Sequence, residues 1–130
     1  MIKGYNEHKD FVTLEAWKRC REVKNFFYKE IILKLPIEEK YNLENQIRKA
    51  SVSITANIAE GYGRFHHLEG IQFYRISRGS LFELKDHLIS CMERNYISKD
   101  LFDNGIKLIE SAKVTLNGYI KYVKAKVKLK

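Results

Sequence analysis

Apolar residues recur at spacings of three and four over four long stretches of this sequence, and very few residues interrupt them. Seven glycines and a single proline, Pro36, occur among 130 residues. Sandwiches and barrels place turn residues about every eight to twelve positions, so this scarcity disfavours them. A spacing of three and four is the period of a helix with one buried face. The sequence therefore predicts an all-α fold, an antiparallel up-down-up-down four-helix bundle.

Caps and breakers predict where the first two helices begin and end. Thr13 is expected to cap the first helix with its hydroxyl, and Pro36 ends that helix. The second helix should begin within residues Glu39–Asn42, where acidic side chains suit the positive end of the helix dipole. The glycines of the Gly61–Gly63 segment are expected to adopt positive φ, close the second helix and turn the chain.

The third and fourth helices are bounded by similar signals. The third should span roughly His67 to Arg94. Asn95 follows it and tolerates the left-handed backbone that commonly ends a helix. Ser98 is expected to cap the fourth helix. Four helices of similar length joined by short connections predict antiparallel neighbours.

The sequence shows no pattern of a chemical site at its cysteines, its tryptophan or its paired histidines. We expect Trp17 to be buried, and Cys20 and Cys91 to be buried, reduced thiols. The two cysteines lie far apart in the sequence and do not form a paired-cysteine metal motif. His66 and His67 are adjacent, so on a helix they would point about 100° apart and could not share a metal. We therefore expect no metal, no cofactor and no catalytic residue.

The chain divides into three segments of unequal charge. Residues 1–12 lack a sustained period and are expected to form a flexible arm, residues 13–120 the bundle, and residues 121–130 a lysine-rich tail. The net charge is +8, and the five lysines of the tail supply five of those charges. The bundle is therefore mildly basic, and the tail is strongly basic.

No stretch is typical of a signal peptide or of a membrane span. The first residues contain no apolar run that could form the core of a signal peptide. No segment approaches the ~18 apolar residues that a spanning helix needs. We expect a cytoplasmic protein that does not enter a membrane.

Basic side chains are the candidate contacts to RNA or single-stranded DNA. Lysine and arginine neutralise phosphates without reading the base sequence. Tyr122 offers a ring on which a base can stack, whereas Tyr119 is expected to close the core. The candidates are the tail lysines, with four residues of the first and third helices as secondary contacts: Lys121, Lys124, Lys126, Lys128, Lys130, Arg21, Lys24, Arg75 and Arg78.

A polar line of Ser53, Asn57 and Glu60 runs beside the apolar stripe of the second helix. Polar groups so close to a core need hydrogen-bond partners, so we expect a bonded structural network that fixes the register. Arg75 or Arg78 on the third helix is the expected partner of the carboxylate. A subunit contact or a ligand role for this line is the alternative.

Small residues also cluster on the second and third helices. Gly79 lies inside the third helix, where glycine costs roughly 1 kcal/mol relative to alanine. We therefore expect a close contact at Gly79, either within the bundle or between subunits.

Several runs of residues resemble the four-helix-bundle family of 23S rRNA intervening-sequence proteins. The resemblance extends over about residues 11–120 and includes the fairly specific run Asn-Ile-Ala-Glu-Gly. The runs that carry it are Phe11–Lys18, Gln46–Ala50, Ser53–Arg64 and Arg78–Leu84. The sequence departs from the family pattern at Thr55, where many relatives have proline, and at Ser77, where alanine is usual.

This resemblance implies a bacterial protein that assembles as a ring-like homo-pentamer, encoded within insertions of the large ribosomal RNA gene. Relatives include basic accessory proteins of diversity-generating retroelements, which are thought to act with a reverse transcriptase and nucleic acid. No catalytic residues come with the family. We therefore expect a non-enzymatic oligomer that binds RNA or single-stranded nucleic acid and tolerates different sequences. The alternative is a protein-interaction or scaffolding module with no nucleic-acid role, whose apolar contacts would respond little to salt.

Overall fold

The computed structural model describes residues 10–128, and all regular structure in that range is helical. Four long helices account for most of it. They are α1 (Glu15–Phe26), α2 (Leu43–Gly63), α3 (His67–Glu93) and α4 (Lys99–Lys128). The predicted all-α fold is therefore confirmed. The greater part of the predicted flexible arm, residues 1–9, and the last two residues of the predicted tail, Leu129 and Lys130, lie outside the described residues.

The helices contact one another in a closed order, because α1 packs on α2 and α4, and α3 packs on the same two helices. Arg78 donates to Asn117 Oδ1 over 2.9 Å, and Lys85 donates to Glu110 Oε1 over 2.9 Å. Residue numbers rise along α3 while those of the partners on α4 fall. This arrangement is compatible with the predicted up-down-up-down course.

One apolar core runs along the centre of these helices. Both cysteines are fully buried there with free thiols, as expected. Burial raises the pKa of Cys20 to about 12, partly offset by a hydrogen bond with Ser77, and raises the pKa of Cys91 to about 11. Trp17 differs from the expectation, since it is only partly buried. It packs at the margin of the core, edge-on to Phe11, with ring centroids 5.3 Å apart.

The first helix changes its winding before it reaches Pro36. Its α-helical part ends at Phe26, a π-helical turn spans Phe27–Ile31, and a 3-10 turn spans Ile32–Lys34. A π turn takes in one more residue than an α turn, which shifts the buried face along the sequence. As a result, the adjacent residues Ile31 and Ile32 are both buried.

The capping prediction at Thr13 is wrong, whereas that at Ser98 is confirmed. Thr13 ends a short 3-10 turn, Phe11–Thr13, and its hydroxyl donates back to the Asp10 carbonyl over 2.7 Å. Leu14 therefore occupies the N-cap of α1, without a side-chain hydrogen bond. At α4 the Leu101 amide donates to Ser98 Oγ over 3.1 Å.

Asn95 ends α3 as the sequence predicts, with φ of 62°. The Tyr96 amide donates to the Cys91 carbonyl over 2.9 Å, and the Asn95 amide donates to the Met92 carbonyl over 3.1 Å. This pair of hydrogen bonds is the Schellman arrangement, which satisfies carbonyl groups that a helix end leaves unpaired.

Glycine does not turn the chain after α2, contrary to expectation. Gly61 and Gly63 lie inside the helix, and Phe65 instead takes the positive φ, at 56°. Gly61 has a different role. A Cβ there would lie 2.7 Å from Tyr74 Cε1 and 3.0 Å from the Gly70 carbonyl oxygen. The missing side chain is what allows the end of α2 to approach the start of α3.

The last helix continues past the predicted start of the tail. Residues 121–128, expected to follow the bundle, form the final turns of α4. Ile120 and Val123 are buried, so the core extends to this end of the helix.

Candidate nucleic-acid interface

The exposed lysines at the end of α4 fall on two sides of the helix. Lys121, Lys124 and Lys128 are all exposed. They are spaced by three and four residues, which places them on one face. Lys126 lies on another side, with its Nζ 4.8 Å from the centroid of the Tyr122 ring. A hydrogen bond with Tyr122 raises the pKa of Lys126, which favours the ammonium form.

Three tyrosines pack in series beside Lys126. The rings of Tyr74 and Tyr119 meet edge-on at a centroid distance of 5.1 Å, and those of Tyr119 and Tyr122 lie 6.2 Å apart at 28°. Tyr74 is buried, Tyr119 is partly buried, and Tyr122 is 55% exposed. Burial raises the pKa of both Tyr74 and Tyr119, so these hydroxyls stay protonated. Tyr122 is therefore the ring of this series that solvent reaches most easily.

These tyrosines help to line a cavity of about 360 Å³. Residues at the end of α2, in the loop after it and at the start of α3 line it as well, since these elements lie at the same end of the bundle as the last turns of α4. Its main lining residues are Tyr62, Phe65, His66, Tyr119, Tyr122 and Lys126.

Arg64 lies beside this cavity but is already paired. Its Nε is 3.4 Å from Glu60 Oε2 and its Nη1 is 3.8 Å from Glu69 Oε2, while its guanidinium lies 5.0 Å from the Phe73 ring centroid. Glu60 is thus exposed and held by Arg64. The expected ion pair of Glu60 with Arg75 or Arg78 is not formed.

The rest of the polar line is hydrogen-bonded across to α3. Ser53 Oγ lies 2.7 Å from Ser80 Oγ, and Asn57 Nδ2 donates to Ser53 Oγ over 2.9 Å and to the Ser53 carbonyl over 3.0 Å. The structure therefore brings Ser53 and Asn57 together with Ser80 and leaves Glu60 outside the network. Glu60 is separated because it lies near the end of α2, where Arg64 is one turn away.

The four secondary basic residues do not gather beside the lysines of α4. Lys24 Nζ donates to Thr55 Oγ1 over 3.4 Å, in the groove between α1 and α2. Arg78 bonds Asn117 between α3 and α4, which is the opposite side of a square bundle. Arg21 lies over the Trp17 ring at 4.9 Å. Arg75 is exposed on α3.

Comparison with known proteins decides the family. Residues 12–118 match the model of the 23S rRNA-intervening sequence protein family. The chain belongs to that family. A search of curated proteins found no match. The family match covers α1, α2 and α3 but stops within α4, so Tyr119, Tyr122 and the exposed lysines of this 23S rRNA-intervening sequence protein lie beyond the matched residues.

The outer surface of α2 and α3 carries apolar and small residues that no part of residues 10–128 covers. Val52 is 48% exposed and Ile76 is 52% exposed, and Ala56 and Gly79 are exposed as well. A Cβ added to Gly79 would meet nothing within 4 Å. The close contact expected at Gly79 is therefore not one within the bundle.

Sequence reasoning missed the contribution of the α2–α3 loop to the lysine-rich end of α4. The sequence suggests only a turn and a pair of adjacent histidines there, yet Phe65, His66 and His67 line the same cavity as Tyr122 and Lys126. A signal was present in the predicted topology, because antiparallel helices place the end of α2 and the end of α4 at one end of the bundle.

No helix within residues 10–128 is long and apolar enough to cross a membrane.

Proposed function

We propose that this 23S rRNA-intervening sequence protein is a non-enzymatic, cytoplasmic oligomer that binds RNA or single-stranded DNA with little sequence preference. One observation carries the proposal: Lys121, Lys124 and Lys128 are exposed on a single face of α4, and no acidic residue occurs in the sequence after Glu110. Such a row of cations attracts a polyanion by displacing counterions from its phosphates.

Single strands suit this surface better than duplexes. An exposed ring, that of Tyr122, lies beside the lysines, and Lys126 holds a charge next to it. Bases of a single strand are free to stack on such rings, and stacking is tolerant of sequence because every base has a flat face. Lysines contribute phosphate contacts, which carry no base information.

Assembly of several copies would strengthen this binding. The family resemblance implies a homo-pentamer, and the uncovered face of Val52, Ile76 and Gly79 is the surface we assign to contact between copies. A ring of subunits would repeat the lysine row, and a strand that touches several rows binds more tightly by avidity than one that touches a single row.

The test is the salt dependence of binding to a labelled, mixed-sequence single strand. Fluorescence anisotropy measures the binding. The variant Lys121→Gln/Lys124→Gln/Lys128→Gln should lower affinity and flatten the log–log salt slope by about 0.7 for each phosphate that the protein no longer neutralises. A matched variant, Lys29→Gln/Lys34→Gln/Lys107→Gln, removes the same charge from exposed lysines elsewhere. Equal effects of the two variants would show that net charge, and not the α4 row, governs binding.

A second candidate function is a protein-interaction module, and one observation favours it. The connection from α1 to α2 exposes three large apolar side chains, Leu33 at 77%, Ile37 at 79% and Tyr41 at 86%. Large exposed apolar residues in one short segment are typical of protein contact surfaces. If the unmodified protein binds no single strand even at low salt, this function replaces the first.

A further inference from the structure

We propose that the cavity between the α2–α3 loop and the end of α4 binds one nucleotide, with its base against the aromatic rings and its phosphate near Lys126. The cavity volume of about 360 Å³ lies within the range of roughly 300–1,000 Å³ that is usual for small-ligand sites. The nucleotide is either free or an unpaired member of a bound strand. In the second case the inference rests on the proposed function.

Aromatic rings dominate the walls of the cavity and set the class of ligand. Tyr62, Phe65, Tyr119 and Tyr122 all line it. Flat rings in a cleft favour a flat ligand, and nucleobases stack on tyrosine and phenylalanine in proteins that bind single strands. Tyrosine hydroxyl groups also supply polar partners for the edge of a base.

The charge around the cavity selects an anion. Lys126 lines it, and none of the lining residues is acidic. The two carboxylates nearby, Glu60 and Glu69, are both occupied by Arg64. His66 and His67 also line the cavity, and they add ring nitrogens and no negative charge. A planar ligand that carries a phosphate fits this combination of several rings and one lysine.

Phe65 is the residue whose position packing does not explain. Its backbone φ is 56° and its side chain is 87% exposed. Bulky residues avoid this backbone region. A second cavity, of about 220 Å³, adjoins the first and is lined by Phe65, His66, His67, Leu68 and Val127. Phe65 thus borders both cavities without contributing to the core. The positive φ itself ends α2, as that of Asn95 ends α3. A ligand that packs on the ring accounts for a bulky residue at a position that glycine or asparagine usually occupies.

The experiment compares two single strands of equal length, an oligothymidylate and its fully abasic analogue, which keeps every phosphate. The wild-type protein should bind the oligothymidylate on the order of tenfold more tightly. Tyr122→Ala should abolish this base preference and leave the salt slope unchanged. The matched control is Tyr41→Ala at the other end of the bundle, since Tyr41 is also exposed and also lies under a lysine, Lys40, at 5.5 Å.

A second variant tests whether a loss of base preference comes from misfolding. Phe65→Gly removes the ring and relieves the positive φ, so its melting temperature should not fall while the base preference does. Salt-dependent binding that is equal for the two strands would exclude a strand-bound nucleotide from the cavity and leave the proposed function standing.

Thymidine monophosphate is the probe that tests binding of a free nucleotide. NMR spectra of the tyrosine ring signals report whether it binds. Shifts of the Tyr122 signals that disappear in Phe65→Gly support the site even if no strand binds, an outcome in which only the proposed function fails. Absence of both base preference and tyrosine shifts overturns the inference.

Discussion

The hydroxyl of Ser77 on α3 donates a hydrogen bond to the carbonyl oxygen of Ile54 on α2 over 2.6 Å, inside the core. The resemblance noted in the sequence makes alanine the usual residue at this position, so this chain has a helix-to-helix hydrogen bond that alanine cannot make. Ser77 also bonds the Cys20 thiol of α1, which ties three helices to one side chain.

Replacing Ser77 by alanine should destabilise the bundle. We expect Ser77→Ala to lower the free energy of unfolding by about 1 kcal/mol, the net contribution of a buried hydrogen bond. The measurement is urea unfolding, monitored by far-UV circular dichroism. Ser51→Ala is the matched control, because the Ser51 hydroxyl is buried without a hydrogen-bond partner in the described part of the chain. A decrease in stability as large in Ser51→Ala would mean that packing, and not the Ile54 hydrogen bond, explains the effect.

A methyl group at Gly61 should force α2 and α3 apart. The added Cβ would clash with the Tyr74 ring and the Gly70 carbonyl. Gly61→Ala is therefore expected to lower the free energy of unfolding by about 1–3 kcal/mol. Gly63, two residues later in the same helix, has open space around it, so Gly63→Ala should not destabilise the protein. Thermal unfolding of the two variants side by side decides the point; similar melting temperatures would contradict the role assigned to Gly61.

An alanine at Gly79 should affect assembly and leave the subunit fold intact. Native mass spectrometry of the wild type is expected to show a multiple of 15.4 kDa, with five copies favoured. Gly79→Ala should shift the distribution toward the single chain, since the added methyl group lies on the face assigned to the contact between copies. Gly118→Ala, at an equally open glycine on α4, is the control and should leave the distribution unchanged. A wild-type protein that shows only the single-chain mass would refute the assembly.

The carboxylate of Glu39 should make stability depend on pH. Tyr96 donates to Glu39 Oε2 over 2.7 Å, and the amide of Leu43 and the side chain of Asn42 donate to Oε1. The hydrogen bond from Tyr96 is the main reason that the pKa of Glu39 lies below its ordinary value of 4.5. A lowered pKa in the folded state stabilises the protein above pH 4.5, and that contribution disappears as pH falls through the folded-state pKa.

Glu39→Gln is therefore expected to be less stable than the wild type at neutral pH, and the difference should shrink steadily in acid. Urea midpoints at a series of pH values from about 7 down to about 3 provide the measurement. Tyr96→Phe removes the main donor and should produce the same trend. A gap between wild type and Glu39→Gln that stays constant over this range would be inconsistent with the hydrogen-bonded carboxylate.

The helices were predictable because their signals are local and repeated. Residues such as Ile47, Ile54 and Ile58 recur with the helical period, and each is fully buried. Asn95 and Ser98 act through neighbours close to them in the chain, so their roles could be inferred from the sequence. Thr13 failed as a cap because it ends a 3-10 turn that Asp10 caps, so that Leu14 and not Thr13 stands at the N-cap of α1.

The candidate site was less predictable, because it depends on contacts between residues far apart in the chain. Periodicity cannot tell that Phe65 and Tyr122 line one cavity, since that depends on how far α2 and α4 extend. The prediction for Gly61 was wrong for the same reason. A glycine near a helix end suggests a turn, and only the position of Tyr74 shows that close packing requires it.

Because residues 121–128 are helical, binding of a polyanion would not require this segment to become ordered. A disordered segment loses conformational entropy when it binds, about 1–2 kcal/mol for each backbone residue that becomes fixed. In α4 that loss has already occurred on folding. The exposed lysines keep constant axial separations, roughly 4.5 Å from Lys121 to Lys124 and roughly 6 Å from Lys124 to Lys128 at ~1.5 Å per residue. The end of α4 thus holds its lysines at fixed separations. A flexible polyanion that bound there would adjust its own conformation to that spacing.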